Sequence, residues 1–349
     1  MIYIYNAISI LVIGLLLKKQ LHNDKKKKKF LMFAFMQMFI IQALRSPNVG
    51  TDVMHYVNVY RNFQNSEYYG FMFTHFEPGF KCLYLVMKYF NCTQQWLLVI
   101  VSAITMCGFA YFIYKNTENI WLSTFIFACM FYPNSFNIMR QYMAVSIAIN
   151  SFQYVIENKY INGSILILFG ALFHSAALLM FIPMLFQIIK NWKIIRNLIV
   201  VSTAFFFAFG TKIINLILPF FGKSFYLTGF EVSRIFRMTS ALTFVFAILI
   251  WYFAKTVKDE RYKNLLNLLS CVAFVNMDFG ILYLKYEFFS RVIEIINLYL
   301  LIGVPHGLTY SSKKYRQLIT LGVCVIPLIL MIIFVYNSGA GISEYKLFF

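Results

Sequence analysis

The sequence carries little charge for its length. Only 13% of its 349 residues are charged, while 60% are hydrophobic, whereas about 25% of the residues in an average soluble domain are charged. Apolar runs of about 17 to 25 residues, each long enough to cross a bilayer, recur from end to end. The polar stretches between them are too short for a separate soluble domain. The composition therefore excludes a soluble protein and predicts a single integral membrane domain over residues 1–349.

Sequence motifs of several common catalytic sites are also absent. The chain has no glycine-rich phosphate loop, no metal-ligand cluster and no serine nucleophile elbow. Its six cysteines form no CxxC pair and lie mostly inside apolar runs, as core residues do. A repeat of about 20 to 50 residues is missing too, which disfavours a solenoid or a duplicated transporter. These absences predict no metal site, no cofactor and no ATP-driven reaction.

Acidic residues are scarce, since 13 Asp and Glu stand against 31 Lys and Arg, for a net charge of +18. In a soluble protein this balance would suggest a nucleic-acid partner. Here most lysines lie in short loops between apolar runs, beginning with Lys18, Lys19 and the run Lys25 to Lys29. Such enrichment marks the cytoplasmic loops of membrane proteins. We therefore expect no nucleic-acid partner and a retained first helix, residues 1–17, that runs from the outside inward.

The apolar runs can be threaded between the lysine-rich loops so that an even number of crossings separates successive loops. The result is an all-α, polytopic membrane helical bundle of about 12 transmembrane helices, with a range of about 10 to 14. Two outward-facing segments, residues 45–91 and 211–238, are longer than simple connectors. Residues 78–91 are apolar enough for an interfacial or re-entrant helix.

Most arginines fall at the outer ends of the predicted helices, unlike the lysines. Guanidinium is a planar fork of N–H donors that matches phosphate and carboxylate. The first cluster is Arg45-Ser-Pro-Asn-Val-Gly-Thr-Asp52, in which Asp52 shares one helical face with Tyr56 and Tyr60. Two interpretations are open: a capped surface helix, or a polar cavity in which Arg45 binds an anion.

A second cluster, Tyr132-Pro-Asn-Ser-Phe-Asn-Ile-Met-Arg140-Gln141, leads directly into an apolar helix. Arginine at such a position either extends to lipid headgroups or faces the bundle interior. The neighbouring Asn134, Asn137 and Gln141 are poor lipid-facing residues. We therefore expect Arg140 and Gln141 to face the interior.

His174 stands between two short apolar runs, at the same predicted outer level as Arg140. It is either a structural histidine or a proton-transfer group, because imidazole titrates near neutral pH. The sequence alone leaves both interpretations open.

The last cluster combines Arg234 with Arg237, and Arg291 with Glu294, each pair at a spacing of three. Arg291 and Glu294 either neutralise each other or leave Arg291 for an anion. Two or more such arginines around one cavity would form an anion clamp.

Four motifs in sequence order resemble a known family. They are Arg45 to Asp52 with Tyr56, then Glu77-Pro78-Gly79-Phe80, then Arg140-Gln141-Tyr-Met-Ala144, and finally Phe173-His174-Ser175. The chain resembles the EpsG family of exopolysaccharide proteins, related in role to Wzy, the polymerase of O antigen and capsule. The resemblance covers about residues 40–190, while the rest agrees in hydropathy and arginines.

The resemblance implies a multi-pass glycosyltransferase of the bacterial inner membrane whose active site faces the periplasm or exterior. Its substrate would be an oligosaccharide repeat unit linked to undecaprenyl pyrophosphate. One chain would be transferred from its lipid pyrophosphate to the non-reducing end of another unit, without a metal and with inversion. The partners implied are the lipid bilayer, a flippase and a chain-length regulator.

The candidate residues fit this chemistry. Without a metal, arginines are the natural donors to a leaving pyrophosphate, and the acceptor hydroxyl needs a general base. The proposed pyrophosphate ligands are Arg140 and Arg291, with Arg45 in a supporting role and Arg234 and Arg237 as further candidates. The first proposed base is His174; Asp52 follows, either as base or as orienter of an arginine, and Glu77 is the third candidate. The proposed glycan contacts are Tyr56, Tyr60 and Gln141.

Three other functions compete with polymerisation. A flippase for the same lipid-linked glycan also needs a basic cavity, but it should show two related halves and basic residues deep in the membrane. A membrane acyltransferase should present reactive groups to a cytoplasmic acyl donor, whereas the inward loops here are short and rich in lysine. A ligase like that of O antigen shares the donor chemistry and stays open.

Overall fold

The structure is a computed structural model that describes residues 1–65, 75–220, 234–284, 286, 288–310, 315–337 and 340–349, without the side chains of 218–220 and 234–243. These residues are helical apart from turns, loops and one isolated β-bridge between Arg45 and Leu347. The prediction of an all-α protein is confirmed for the part of the chain described.

Contacts divide the chain into two compact units. Unit 1 comprises Met1–Met180 and Leu321–Phe349, and unit 2 comprises Phe181–Thr320. The helices of unit 1 are α1 (Ile2–Leu17), α2 (Asp24–Ala43), α3 (Val53–Gln64), α4 (Pro78–Tyr89), α5 (Gln94–Asn116), α6 (Ile120–Met130), α7 (Met139–Ala148), α8 (Phe152–Ile156) and α9 (Tyr160–Ala171). A 3₁₀ helix, Ser175–Met180, follows α9.

Unit 2 begins where that 3₁₀ helix ends. Its helices are α10 (Phe181–Ile189), α11 (Trp192–Phe220), α12 (Arg234–Thr256), α13 (Glu260–Phe274), α14 (Asn276–Tyr283), α15 (Phe289–Asn297) and α16 (Leu300–Tyr310). The last helix, α17 (Arg316–Asn337), belongs to unit 1 from Leu321 onward.

In the part of the chain that the structure describes, five stretches of helix are long and apolar enough to cross a membrane. They are Gln94–Asn116, Trp192–Ile217, Glu260–Tyr283, Phe289–Tyr310 and Arg316–Asn337. Five shorter apolar helices accompany them: Ile2–Leu17, Ile120–Met130, Tyr160–Ala171, Ser175–Ile189 and Phe244–Thr256. The chain is therefore a multi-pass membrane protein, and the total of about 12 crossings stays a prediction.

Helix α5 packs against both α2 and α7 within unit 1. Its approach to α7 depends on Gly108, because a β-carbon there would lie 2.5 Å from the carbonyl oxygen of Ser146. Small residues let membrane helices approach closely in this way. Nδ2 of Asn150 donates to the carbonyl of Gly108 at 3.1 Å and adds a polar link across the same contact.

The predicted outward-facing segments 45–91 and 211–238 both contain helix where the structure describes them. Helix α11 continues through Gly210 to Phe220, and α12 already begins at Arg234, so most of the predicted loop 211–238 is helical where it is described. Gly210 does not stop the helix; a β-carbon there would lie 2.6 Å from the Leu282 side chain, so glycine permits close packing. The other long segment, 45–91, contains α3 and α4.

Candidate active site

Three sequence motifs meet at one carboxylate in unit 1. Oε2 of Glu77 lies 2.8 Å from Nη1 of Arg140, and Oε1 of Glu77 accepts the backbone N–H of Ser175 at 3.0 Å. The two side chains are only 21% and 13% exposed. Glu77 therefore links the start of α4, the start of α7 and the turn after α9.

The start of α4 is shaped for this contact. Pro78 occupies the first turn of the helix, where its missing N–H needs no partner. The N–H of Gly79 donates to the carbonyl of Leu172 at 2.7 Å, and a β-carbon on Gly79 would lie 2.8 Å from that same oxygen. Glycine thus lets α4 approach the backbone of the turn that carries His174.

This close approach predicts that Gly79→Ala destabilises the site. The added methyl group would meet backbone, which moves less readily than a side chain, so we expect a loss of about 1–3 kcal/mol. Gly280→Ala is the matched control, because Gly280 lies in α14 with nothing within 4 Å of an added β-carbon, and alanine favours helix by about 0.8–1 kcal/mol. Thermal unfolding of both variants in detergent checks the prediction; equal midpoints would contradict it.

Arg140 is enclosed by aromatic rings as well as by Glu77. Its guanidinium carbon lies 4.7 Å from the ring centre of Phe76, 5.7 Å from that of Phe80 and 5.8 Å from that of Tyr56. Cations are attracted to ring faces at such distances. Among the described residues, the buried Nε of Arg140 has no hydrogen-bond partner. The guanidinium is thus held in place while retaining N–H groups for another acceptor.

The His174 side chain is tied to its own turn. Its Nδ1 accepts the backbone N–H of Ala176 at 3.1 Å, and its carbonyl accepts the N–H of Ala177 at the same distance. This arrangement resembles an N-cap, in which a side chain accepts a backbone N–H of the first turn. The imidazole ring is therefore oriented by the 3₁₀ helix that it begins.

The backbone of Asp52 is hydrogen-bonded to Asn137, in the segment that leads into α7 and Arg140. Oδ1 of Asn137 accepts the backbone N–H of Asp52 at 2.8 Å and the hydroxyl of Thr51 at 3.1 Å. Gly50 precedes them with φ 103°, a conformation that glycine adopts without strain. The Asp52 carboxylate makes no capping bond to α3. The loop that carries Asp52 is therefore bound to Asn137, which lies three residues before Arg140 in the sequence.

Family comparison adds a decisive observation to this geometry. The model of the EpsG family matches residues 28–347, which is almost the whole chain. The chain belongs to the EpsG family. This is a family of Wzy-type polysaccharide polymerases. Comparisons with curated proteins and with solved structures give no match.

In this EpsG-family protein Arg45 lies inside unit 1, not at its surface. The residue is 1% exposed. Its Nη2 donates to the carbonyl of Phe136 at 2.9 Å, and its guanidinium carbon lies 4.6 Å from the centre of the Phe136 ring. Neither Nε nor Nη1 has a partner among the residues described. Burial lowers the pKa of the Arg45 guanidinium to about 10, so the group stays charged at neutral pH.

The carboxy-terminal segment, which sequence reasoning missed, holds this loop. The N–H groups of Gly50 and Thr51 donate to the carbonyls of Gly341 and Ala340 at 2.9 and 3.1 Å. The N–H of Ser46 donates to the carbonyl of Lys346 at 2.8 Å. These bonds use only backbone atoms, so no side-chain pattern announces them. The end of the chain thus supports the loop between Arg45 and Asp52.

The predicted glycan contacts are all largely buried. Gln141 is 4% exposed and Tyr56 is 8% exposed beside Arg140, so Arg140 and Gln141 face the interior as expected. Tyr60 is 0% exposed, and its hydroxyl donates to the carbonyl of Cys92 at 2.8 Å. Tyr60 therefore packs α3 onto the segment before α5.

The predicted arginines of unit 2 lie at the starts of helices. Arg291 is an exposed residue in the first turn of α15, and Glu294 follows one turn later. Arg234 and Arg237 stand in the first turn of α12, but their side chains lie outside the described residues. Their role in anion binding stays a prediction.

Unit 2 also contains a carboxylate that sequence reasoning missed. Asp278, 7% exposed, lies within the apolar stretch Glu260–Tyr283. Oδ2 accepts the Ser202 hydroxyl at 2.8 Å and Oδ1 accepts the Thr203 hydroxyl. A lone carboxylate in an apolar run is the sequence signal for such a group. Here it joins α14 to α11.

Proposed function

We propose that this protein polymerises oligosaccharide repeat units carried on undecaprenyl pyrophosphate, at the outer face of the bacterial inner membrane. The observation that supports the proposal is the meeting of Glu77, Arg140 and the His174–Ser175 turn in one site. Membership of the EpsG family supports polysaccharide polymerisation. The reaction would transfer a glycan from its lipid pyrophosphate to a hydroxyl of another lipid-linked unit, with inversion and without a metal.

Arg140 is the proposed ligand of the leaving pyrophosphate. Charge develops on that group as the glycosidic bond breaks, and fixed N–H donors stabilise it. Glu77 engages Nη1 and the three rings restrict the guanidinium plane, so the remaining donors are held in one orientation. A preorganised donor stabilises the transition state without reorganising during the reaction.

The acceptor hydroxyl must lose a proton, and three groups are proposed to receive it. Asp52 is fixed through Asn137 without capping its own helix. Glu77 and His174 lie at the meeting point itself. All three are within hydrogen-bonded networks that include the starts of α3, α4 and α7, which supports their candidacy for the base.

The remaining predicted contacts are proposed with narrower roles. Gln141 and Tyr56, beside Arg140, are proposed to orient the glycan and the guanidinium. Arg45, buried against Phe136, is proposed to support the loop and not to touch phosphate. Arg291, Arg234 and Arg237 are proposed as further phosphate ligands on the strength of the sequence pattern.

The proposed reaction implies further partners. Repeat units are completed with their lipid anchors in the membrane and must reach the outer face before polymerisation, so a flippase would act first. A regulator of chain length would act together with the polymerase. The proposed orientation rests on the lysine-rich loops, because such loops are typical of the cytoplasmic side.

Reconstitution tests the proposal directly. The purified full-length chain, placed in liposomes with lipid-linked repeat units alone, is expected to produce a ladder of lengthened lipid-linked glycans on a gel. Transfer only to a non-lipid acceptor would indicate a ligase, and movement of intact units between leaflets without lengthening would indicate a flippase. Either result would overturn polymerisation.

A deletion strain gives a complementary test in the cell. Loss of the chain should remove the polymer ladder while one repeat unit remains attached at the surface. Complementation with the wild-type chain should restore the ladder. Accumulation of lipid-linked units on the cytoplasmic side would contradict the proposal.

A further inference from the structure

Arg45 carries a positive charge inside unit 1, where it is 1% exposed. Its Nη2 donates to the carbonyl of Phe136 at 2.9 Å and lies 3.7 Å from Sδ of Met139. The guanidinium carbon lies 4.6 Å from the centre of the Phe136 ring. A carbonyl, a thioether and a ring face all attract a guanidinium, but none of them carries a full negative charge.

No carboxylate among the described residues neutralises this charge. None of their ion pairs includes Arg45, and the titratable side chains that interact with it electrostatically are Tyr3, Tyr132 and Tyr345. Tyrosine is uncharged at neutral pH, whereas the Arg45 guanidinium, with a pKa that burial lowers only to about 10, stays charged. Because charges inside a protein are normally paired, this burial favours a bound anion.

Hydrogen-bond donors without acceptors lie around the same aromatic ring. Nε and Nη1 of Arg45 have no hydrogen-bond partner among the described residues, and neither does the buried hydroxyl of Tyr3. The Tyr3 ring packs edge-on to Phe136 with ring centres 5.0 Å apart, so Tyr3 and Arg45 contact the same side chain. A buried polar atom without a partner normally indicates a bound water or ion.

We propose that Arg45 and Tyr3 bind one small inorganic anion, of about the size of chloride, inside unit 1. Chloride accepts hydrogen bonds from N–H and O–H groups and supplies the missing negative charge, whereas water would leave the guanidinium charge uncompensated. The burial of Arg45 disfavours a larger anion such as the pyrophosphate of a lipid carrier. The bound anion would join α1, through Tyr3, to the loop that begins at Arg45. This inference does not depend on polymerisation.

The thermal unfolding midpoint of the purified full-length chain in detergent tests for the anion. A ligand that binds only the folded chain raises the midpoint as its concentration increases. Sodium chloride is compared with sodium gluconate at equal ionic strength, because gluconate is too large for the proposed site. We expect the midpoint to be higher by about 5 °C at a chloride concentration 100 times the dissociation constant. Equal midpoints in the two salts up to molar concentration would overturn the inference.

Two tyrosine variants separate a specific site from a general effect of salt. Tyr3→Phe removes the unpartnered hydroxyl and keeps the ring, so it should weaken chloride binding about tenfold or more. Tyr132→Phe is the matched control: its ring also packs on Phe136, at 5.0 Å, but its hydroxyl already donates to the carbonyl of Met38 at 2.7 Å. Tyr132→Phe should keep the chloride-dependent shift. Equal losses of the shift in the two variants would contradict the proposed site.

Arg45→Met tests the origin of the anion requirement. Methionine fills similar space without a charge, so nothing remains for the anion to neutralise. The midpoint of this variant should be the same in chloride and in gluconate. A chloride-dependent shift as large as that of the wild-type chain would place the anion elsewhere and overturn the inference. If Arg45→Met does not fold, the comparison of Tyr3→Phe with Tyr132→Phe decides the question.

Discussion

Arg140→Ala is expected to lower polymerisation by about 100- to 1,000-fold, the usual effect of removing a preorganised donor to developing negative charge. Among the described side chains, the substitution removes the only guanidinium that lies against Glu77, Phe76 and Phe80. In cells, the polymer ladder should disappear while one repeat unit stays attached at the surface. Rates in liposomes and surface glycan profiles provide the measurements.

Arg61→Ala is the matched control for Arg140. Arg61 is an exposed arginine of α3 whose Nε and Nη2 donate to the side chain of Gln94 at 3.1 and 2.7 Å. Its loss should leave polymerisation unchanged. Arg140→Lys should recover little activity, because a single ammonium group cannot reproduce the planar fork. Normal polymer length in Arg140→Ala cells would remove Arg140 from the mechanism.

The pairing of Glu77 with Arg140 shows where sequence reasoning reaches its limit. Both residues are recognisable as candidates, but they are 63 positions apart, and helix periodicity relates only neighbours within a few turns. The contact depends on how α4 packs against the turn after α9. The sequence indicates that packing only through Gly79. The reason for a glycine there becomes clear in the structure, because a β-carbon on residue 79 would collide with the backbone of Leu172.

Tyr60 illustrates a second limit. Spacing predicts that Asp52, Tyr56 and Tyr60 share one helical face, and Tyr56 and Tyr60 are buried residues of α3, but spacing does not reveal what that face contacts. In the structure Tyr60 packs edge-on to Tyr84 with ring centres 5.3 Å apart. Tyr60 therefore packs in the core of unit 1, whereas Tyr56, one turn earlier in α3, contacts Arg140.

Arg45 shows a third limit, since its surroundings come from the far end of the chain. Its position after α2 suggests an exposed helix end, but the segment from Ala340 to Phe349 pairs with the backbone around it. Membrane character, by contrast, is predictable because composition and run length decide it directly. The number of membrane crossings is less predictable, because several apolar helices are shorter than a bilayer requires.

Glu77→Ala is expected to destabilise unit 1 by about 3–5 kcal/mol, because removing one partner of a largely buried ion pair leaves the other charge uncompensated. The side chains of Glu77 and Arg140 are 21% and 13% exposed, and Glu77 also accepts the Ser175 N–H. The measurement is the thermal unfolding midpoint of the purified chain in detergent. Glu157→Ala is the control, because the Glu157–Lys159 pair is more than half exposed and such pairs contribute little.

The double variant Glu77→Ala with Arg140→Ala separates stability from chemistry. It removes the Arg140 charge that Glu77→Ala alone would leave without its partner. The unfolding midpoint of the double variant should therefore lie above that of Glu77→Ala, as expected for directly interacting residues. Polymerisation should nevertheless stay as low as in Arg140→Ala, because the donor to the pyrophosphate is absent. Additive losses of stability would show that the pair is not coupled. Recovered polymerisation would show that Arg140 only balances Glu77, since a neutral pair cannot bind the leaving group.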